Sequence, residues 1–287
     1  MITLSRTADK AKTPFDKIRA VFSHNLKSRI ARGVKLRNMR KIVVTSGKGG
    51  VGKTTVTAAL GRRLADMGYR VVLADADVGL NNLDVVMGAE SRVVYDISDV
   101  LTGKCKVFQA LVPDHESKAK ILPSACNEGV SAQAFRGVID SLSDFDFVLI
   151  DCPAGIENGF HRAVSAAEEA IVVTTPSASA IRDADKVVSL LSAYRLKDIS
   201  LVLNRVRHDM VARGEMMEPI DIARLLGVPA IGAIPEDDCI TLYQQLGRVP
   251  SFAVSEKAFC LIAENVASQT KRFAEVRVPG RWRRRWR

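Results

Sequence analysis

The sequence has no long hydrophobic run and no paired cysteines. None of its 287 residues falls in a stretch that approaches the roughly 18 consecutive apolar residues of a membrane-spanning helix. The basic N-terminus also lacks the apolar core of a secretory signal. The five cysteines are odd in number, scattered and free of any C-x-x-C pair, which argues against a disulfide framework and a zinc site. We therefore expect a protein of the reducing cytoplasm that is neither exported nor transmembrane.

The net charge is concentrated at the two ends of the chain. Residues 1–38 carry ten Lys and Arg against two Asp, and residues 271–287 carry eight against one Glu. The total of +10 therefore leaves −5 for residues 39–270. An acidic body does not favour nucleic acid, whereas basic ends are attracted to polyanionic surfaces such as acidic lipid or DNA. We expect an N-terminal extension (1–38), a globular body (39–270) and a basic tail (271–287).

Short β-branched runs alternate with longer helical stretches from residue 41 onward. This alternation predicts a single α/β domain with a mostly parallel, doubly wound sheet flanked by helices on both faces. We predict strands at 41–45, 70–73, 119–122, 147–150, 170–174, 201–203 and 230–234, and helices that begin after the first strand and at or near Ser179, Asp221, Thr241 and Ser255.

A glycine-rich segment of the form G-x-x-x-x-G-K-T follows the first predicted strand. Glycines let backbone N–H groups converge on phosphate oxygens, and the N-terminus of the next helix adds partial positive charge. We predict that this P-loop binds ATP or ADP with Mg²⁺, with Lys53 on the β- and γ-phosphates and the Thr54 hydroxyl on the metal. A chance glycine-rich turn is the alternative, which the strand and helix on either side disfavour. The loop comprises Gly47, Lys48, Gly49, Gly50, Val51, Gly52, Lys53, Thr54 and Thr55.

Carboxylates follow two other predicted strands, at the edge where a phosphate site of this kind lies. We predict that Asp77 orients the attacking water or receives its proton, and that Asp75 supports the Mg²⁺ shell or couples it to dimerisation. Asp151 follows the run FDFVLI and is predicted to hold Mg²⁺ through water. Gly155 could then offer its amide to the γ-phosphate, which would make residues 153–157 a switch loop that senses hydrolysis.

Two weaker assignments concern the base and a cysteine. Asn204 could read the adenine edge, with Pro235 and Asp237 as walls, although ordinary loop residues would give the same spacing. Cys152 could be an iron–sulfur ligand, but no second ligand accompanies it, so we favour a buried thiol.

Several motifs together resemble the MinD septum-site-determining ATPases over nearly all of residues 39–270. The P-loop and DCPAG also occur in ParA partition ATPases and in FlhG flagellar-number regulators, which remain the alternatives. The order NNLDVVMG, then RVVYDISDVLTG, points to MinD. The motifs that carry the resemblance are TSGKGGVGKTT, DADVGLNNLDVVMG, RVVYDISDVLTG, DCPAGIENG, AIRDADK and AIPEDD.

The resemblance implies a slow, Mg²⁺-dependent ATPase that forms an ATP-dependent homodimer. The resemblance implies that Lys48 contacts the phosphates of the partner subunit's nucleotide in such a dimer, and a solvated loop charge is the alternative. The dimer would bind the inner membrane, recruit a MinC-like division inhibitor, and leave the membrane on hydrolysis. Asp183 and Asp185 would lie on the helix that binds the partner, and a MinE-like activator or a polar scaffold would complete the system.

The chain departs from the family pattern at two positions that bear on the dimer. Asn81 stands where many relatives carry Arg, and Ser177 stands where a Glu commonly contacts the partner's nucleotide. We therefore expect altered contacts across the dimer. Partition and flagellar functions are disfavoured by the acidic body and by the absence of the D-Q-A-x-x-L-R string of the flagellar regulators.

The tail PGRWRRRWR is predicted to bind acidic membrane lipid. Trp282 and Trp286 are four apart and would share one helical face, surrounded by Arg283, Arg284 and Arg285. One copy should bind marginally and two copies appreciably, so dimerisation would take a cytoplasmic protein reversibly to the inner face of the membrane. A disordered basic tail, or one whose Trp side chains stack on nucleic-acid bases, is the alternative.

Residues 1–38 lie outside the family pattern, which would start at Met39. Either the assigned start is too far upstream, or the segment is a second basic amphipathic helix that begins at Thr13 and Pro14.

Overall fold

An eight-stranded sheet forms the centre of the part of the chain that the computed structural model describes, residues 39–77, 82–124, 130–240 and 254–273. The strand order is β3-β4-β2-β5-β1-β6-β7-β8, and every neighbouring pair is parallel except β3 and β4. The strands are β1 (Arg40–Thr45), β2 (Val71–Asp75), β3 (Val112–Pro113), β4 (Lys120–Leu122), β5 (Phe147–Asp151), β6 (Glu169–Thr174), β7 (Asp198–Val206) and β8 (Ala230–Pro235).

Helices connect most of these strands. The described helices are α1 (Lys53–Asp66), α2 (Asn82–Val86), α3 (Ile97–Leu101), α4 (Ala132–Asp140), α5 (Asn158–Ser165), α6 (Ala178–Leu191), α7 (His208–Ala212), α8 (Pro219–Leu226) and α9 (Val254–Ser268). Within the described ranges, no helix is both long and apolar enough to cross a membrane.

The central strands are buried along their whole length, as a sheet covered on both faces requires. All residues of β1, β2, β5 and β6 are buried. The parallel register places Asp75 beside Asp151 and Val44 beside Asp151. Because the carboxyl ends of these strands meet at one edge, the P-loop after β1 lies beside the acidic ends of β2 and β5.

The predicted fold class is confirmed, with differences at several boundaries. The short antiparallel strand β3 was not predicted, because two residues give no periodicity. β7 is longer than the predicted 201–203, since it pairs with β6 from Asp198 onward and register shifts against β8 let its pairing continue to Val206. β2 ends at Asp75 rather than at residue 73, so this carboxylate belongs to the strand itself.

Two predicted helix starts lie close to the observed ones for a visible reason. α6 begins at Ala178 because the Ser177 side chain accepts a hydrogen bond from the amide of Ala180 and caps the helix. α8 begins at Pro219, which occupies the first helical turn where a missing N–H costs nothing. The helices predicted to begin at Thr13 and at Thr241 lie outside the described residues.

A buried ion-pair group ties α1 to the edge of the sheet. Arg62 is only 2% exposed, and its guanidinium donates to both carboxylate oxygens of Asp114, at 3.0 and 2.8 Å. Glu116 accepts a further bond at 2.7 Å. The bidentate geometry satisfies charges that would otherwise be costly to bury.

Candidate nucleotide site

The P-loop has the backbone shape that the sequence predicts. Gly50 and Gly52 have φ values of 76° and 95°, a region that side chains other than glycine rarely adopt. Gly52 is the N-cap of α1, and Lys53 is its first residue, buried at 8% exposure. The free amides at the start of α1 and the Lys53 ammonium therefore lie at the same end of the helix, an arrangement that fits a bound phosphate.

Asn204 braces this loop from the neighbouring strand. Its Nδ2 donates to the carbonyl of Val51 at 2.8 Å, and its Oδ1 accepts from the amide of Arg205 at 2.9 Å. A Cβ at Gly52 would lie 2.4 Å from the Asn204 Nδ2. The side chain predicted to read adenine thus has both of its polar atoms bonded to backbone, and it is buried at 6% exposure.

The first half of the loop contacts α6. A Cβ at Gly47 would lie 2.1 Å from the carbonyl oxygen of Asp183. The exposed Lys48 donates from Nζ to the Ser179 Oγ at 3.0 Å. The loop and the helix predicted to bind a partner are therefore in direct contact.

Asp75 and Asp151 are neighbouring buried carboxylates, 1% and 3% exposed. The Asp75 carboxylate accepts from the amides of Asp77, at 2.8 Å, and Leu83, at 3.1 Å. Burial raises the pKa of Asp75, and the charge of Asp151 raises it further.

Asp151 has hydroxyl partners on α1. It accepts from the Thr57 Oγ1 at 3.0 Å and also from the hydroxyl of Thr54. Burial raises the pKa of Asp151, while these hydrogen bonds and the charge of Lys53 oppose the rise. Two adjacent carboxylates and a threonine hydroxyl suit a hard cation such as Mg²⁺, which would relieve their repulsion.

No group of three or more His, Cys, Asp or Glu side chains in the described ranges is arranged to hold a metal by itself. Mg²⁺ usually keeps several waters and takes only one or two protein ligands, with substrate phosphates completing its shell. The donor set around Thr54 therefore fits Mg²⁺ held partly through water.

Asp77 is half-buried directly after β2. Burial raises the pKa of its carboxyl group, whereas the charges of Lys53 and Arg162 and a contact with Asn82 lower it. The Asn82 Nδ2 lies 3.5 Å from the Asp77 Oδ2. Asn81, the expected departure from the family pattern, lies outside the described residues.

The predicted switch loop follows β5. Gly155 has φ of 87°, and Pro153 packs beside Gly159 at the start of α5. Cys152 is 2% exposed, and burial raises the pKa of its thiol to about 12. This environment keeps the thiol protonated, as a buried structural cysteine requires.

The residues predicted to wall the adenine lie at the end of β8. Pro235 is the last residue of that strand and is buried. The Asp237 carboxylate accepts from the amide and hydroxyl of Ser255, at 3.1 and 3.0 Å, and from the amide of Cys239 at 3.1 Å. Asp237 therefore anchors the start of α9 to the end of the sheet.

Asp183 and Asp185 both lie on α6, as predicted. Asp185 is exposed, and Asp183 accepts from the Lys186 Nζ at 3.2 Å. The tail residues Trp282, Trp286, Arg283, Arg284 and Arg285 lie outside the described ranges.

The structure also shows two polar contacts that no sequence pattern predicts. Ser179 receives the Lys48 side chain, and Arg162 on α5 reaches the carbonyl of Ala76, between Asp75 and Asp77. Neither residue belongs to a motif. Each is a polar residue near the start of a helix that adjoins a motif, and this position was the one sign in the sequence that it could belong to the site.

Known proteins share this arrangement. Residues 37–269 match the ParA family, described as NUBPL iron-transfer P-loop NTPase. The chain is 50% identical over 214 residues to the septum site-determining protein MinD of Synechocystis sp., with 73% of this chain and 80% of that protein covered. It also resembles a chain of the MinC:MinD cell division protein complex of Aquifex aeolicus, with a TM-score of 0.74 and 37% identity, covering 82% of this chain and all (100%) of that one.

MinD of Pyrococcus horikoshii, solved with Mg-ADP, is similar as well. Its TM-score is 0.71 at 34% identity, and the match covers 80% of this chain and 97% of that chain. The family match at 37–269 contains the P-loop, the carboxylates of β2 and β5, and α6.

Proposed function

The chain belongs to the MinD family of septum-site-determining proteins, within the ParA group of P-loop NTPases, and from that premise we propose that it is an ATP-dependent dimerising switch that helps to place the division site. The observation that supports the proposal is that the P-loop both forms the phosphate site and contacts α6. The P-loop holds the phosphate-binding Lys53 and, through Gly47 and Lys48, touches α6. Nucleotide binding and partner binding can therefore influence each other.

The nucleotide is ATP or ADP with Mg²⁺, and the residues present fit both. Gly49, Gly50 and Gly52 leave the loop amides open, and Lys53 supplies charge for the β- and γ-phosphates. Thr54 would hold Mg²⁺ directly, with Asp75 and Asp151 acting through water. The relative from P. horikoshii carries Mg-ADP, which supports this choice of ligand.

The hydrolytic role falls to Asp77. Its carboxyl group is half-buried, and the charges of Lys53 and Arg162 lower its pKa against the effect of burial, so it can stay ionised and orient a water for attack on the γ-phosphate. Orientation is the larger expected contribution because an aspartate is a weak base. Gly155 would offer its amide to the γ-phosphate, and the loop 153–157 would change position when that phosphate leaves.

Dimerisation is proposed to use Lys48. This side chain is exposed and is bonded to Ser179 in the single chain, so it is available to reach the nucleotide of a partner subunit. Ser177 is occupied in capping α6, which supports a dimer contact different from that of relatives with Glu.

The partner surface is proposed to be α6, with Asp183 and Asp185 as contacts for a MinC-like division inhibitor. A complex of MinC with MinD is known for the relative from A. aeolicus. The exposed Asp185 and the half-buried Asp183 lie on a helix next to the P-loop, so they can respond to nucleotide state. A MinE-like activator or a polar scaffold would use the same state-dependent surface.

Membrane attachment is assigned to the tail that contains Trp282 and Trp286. Two indoles and five arginines in residues 281–287 form a weak interfacial anchor, and a dimer would carry two of them. Hydrolysis would separate the anchors and return the protein to the cytoplasm.

Sedimentation velocity tests the switch directly. We expect a dimer with ATP and a monomer with ADP for the full chain. Lys48→Ala should bind ATP but stay monomeric, and Lys53→Ala should lose ATP binding. Asp77→Ala should remain dimeric with ATP because hydrolysis is slowed. A monomer with ATP under all conditions would contradict the proposal.

A further inference from the structure

Arg162 lies on α5, between the segment after β2 that carries Asp77 and the loop 153–157. Its Nη1 donates to the carbonyl of Val130 at 3.1 Å, and its Nη2 donates to the carbonyl of Ala76 at 3.4 Å. α5 follows the proposed switch loop 153–157, and Ala76 lies between Asp75 and Asp77. The Arg162 guanidinium therefore links α5, which follows the loop 153–157, to the Ala76 peptide, which precedes Asp77.

The Ala76 peptide is held on both sides. Its amide donates to the carbonyl of Asp151 at 3.0 Å, and its carbonyl accepts from Arg162. Ala76 itself is fully buried. Because Asp77 is the next residue, the orientation of its carboxylate depends on this peptide, and a backbone rotation of a few tens of degrees would move it away from an attacking water.

The guanidinium of Arg162 has no carboxylate partner among the described residues. Its hydrogen bonds there go to backbone carbonyls, and its buried Nε has no partner in those ranges. Burial lowers the pKa of Arg162, and the charge of Asp77 opposes this. A half-buried cation without an ion-pair partner adds little stability, so its presence is better explained by positioning than by folding.

Arg162 also lies next to the switch loop. A Cβ at Gly159 would be 2.5 Å from the Cγ of Pro153 and 3.7 Å from the Arg162 Nη2. The start of α5 is thus packed tightly between the loop and the guanidinium. A displacement of Pro153 toward Gly159 would press on α5, which carries Arg162.

We propose that Arg162 is a positioning residue that ties the Ala76 peptide to α5, so that Asp77 and the loop 153–157 move together through the nucleotide cycle. The inference rests on the proposed switch function, because it requires Asp77 to orient the water. It adds to the hydrolytic machinery a residue of α5, outside the P-loop, the loop after β2 and the loop 153–157.

Steady-state hydrolysis of ATP, with ATP in excess over protein, tests this role. For Arg162→Gln we expect the rate at saturating ATP to fall about tenfold or more, since misplacing a reacting group by about 1 Å can cost up to 100-fold. The ATP concentration at half-saturation should stay within about twofold of that of the unaltered chain. The reason is that Arg162 bonds to Val130 and Ala76 and not to the P-loop. Arg162→Lys keeps one donor group and should recover part of the rate.

Hydrogen exchange gives a readout that does not depend on turnover. In the unaltered chain, ATP should protect peptides covering residues 75–77 and 153–162 together, relative to ADP. In Arg162→Gln the protection of 75–77 should be lost while that of the P-loop persists. Arg224→Gln, which removes an exposed guanidinium paired with Asp221 on α8, should behave like the unaltered chain.

An unchanged rate in Arg162→Gln would overturn the inference, as would a raised half-saturation concentration with an unchanged rate. A large fall in melting temperature that Arg162→Lys does not correct would also overturn it, in favour of a structural role. If the unaltered chain neither hydrolyses ATP nor shows ATP-dependent protection, the proposed function fails instead.

Discussion

The backbone of Gly47 lies directly against the backbone of Asp183. No Cβ can fit at residue 47, because it would be 2.1 Å from the Asp183 carbonyl oxygen and 2.8 Å from the Asp183 Cβ. Gly47 is therefore required by the packing of α6 and not only by the approach of phosphate. The first glycine of the P-loop fixes the distance between the nucleotide and the proposed partner helix.

Replacing Gly47 with Ala should push α6 away from the P-loop. Overpacking of this kind costs about 1–3 kcal/mol, so the free energy of unfolding in urea should fall by that amount without nucleotide. Gly49→Ala is the matched control, because its Cβ would meet the Ala154 Cβ at an ordinary 3.7 Å. Equal stability of the two variants would show that α6 does not constrain residue 47.

Replacing Asn204 with Ala should weaken binding of ATP and GTP by the same factor. The amide braces the Val51 carbonyl in the P-loop, and losing such a buried bond costs about 1–3 kcal/mol. Calorimetric titration with both nucleotides measures the effect. If the preference for ATP over GTP collapses instead, Asn204 reads the adenine edge as its position in the sequence suggests.

The sequence predicted where the phosphate loop and the carboxylates lie in the fold, because these positions depend on local order, and the roles of these residues stay predictions. A glycine-rich loop between a strand and a helix has a fixed position once the sheet is parallel. The same holds for Asp75 and Asp151, which end their strands. The hydrogen bond of Asn204 to Val51 joins residues that are 153 positions apart in the chain, and the bond from Arg162 Nη2 to Ala76 joins residues that are 86 positions apart. No spacing rule connects such pairs, so only the three-dimensional structure shows them.

Replacing Asp114 with Ala should destabilise the fold strongly. Arg62 is 2% exposed and would lose its bidentate partner, keeping only its bond to Glu116, so breaking this buried pair should cost up to about 3–5 kcal/mol. Urea unfolding measures the loss. The double variant Arg62→Met with Asp114→Leu should regain most of that stability, because it removes both charges. A double variant as unstable as the single one would contradict the ion-pair explanation.

Cys152 should resist alkylation in the folded protein. Burial raises the pKa of its thiol to about 12, so almost no thiolate exists at pH 8. We expect mass spectrometry after brief N-ethylmaleimide treatment to find label on the exposed Cys239 first, and on Cys152 only after denaturant is added. Rapid labelling of Cys152 in the native protein would show that the loop after β5 opens readily.

We propose that ATP binding is converted into membrane attachment, and vesicle co-sedimentation measures this conversion. The full chain and a chain lacking residues 281–287 would be mixed with acidic and with neutral vesicles, each with ATP, ADP or no nucleotide. We predict that only the full chain pellets, only with acidic vesicles, and only with ATP. Equal pelleting with ADP, or pelleting of the shortened chain, would contradict the account.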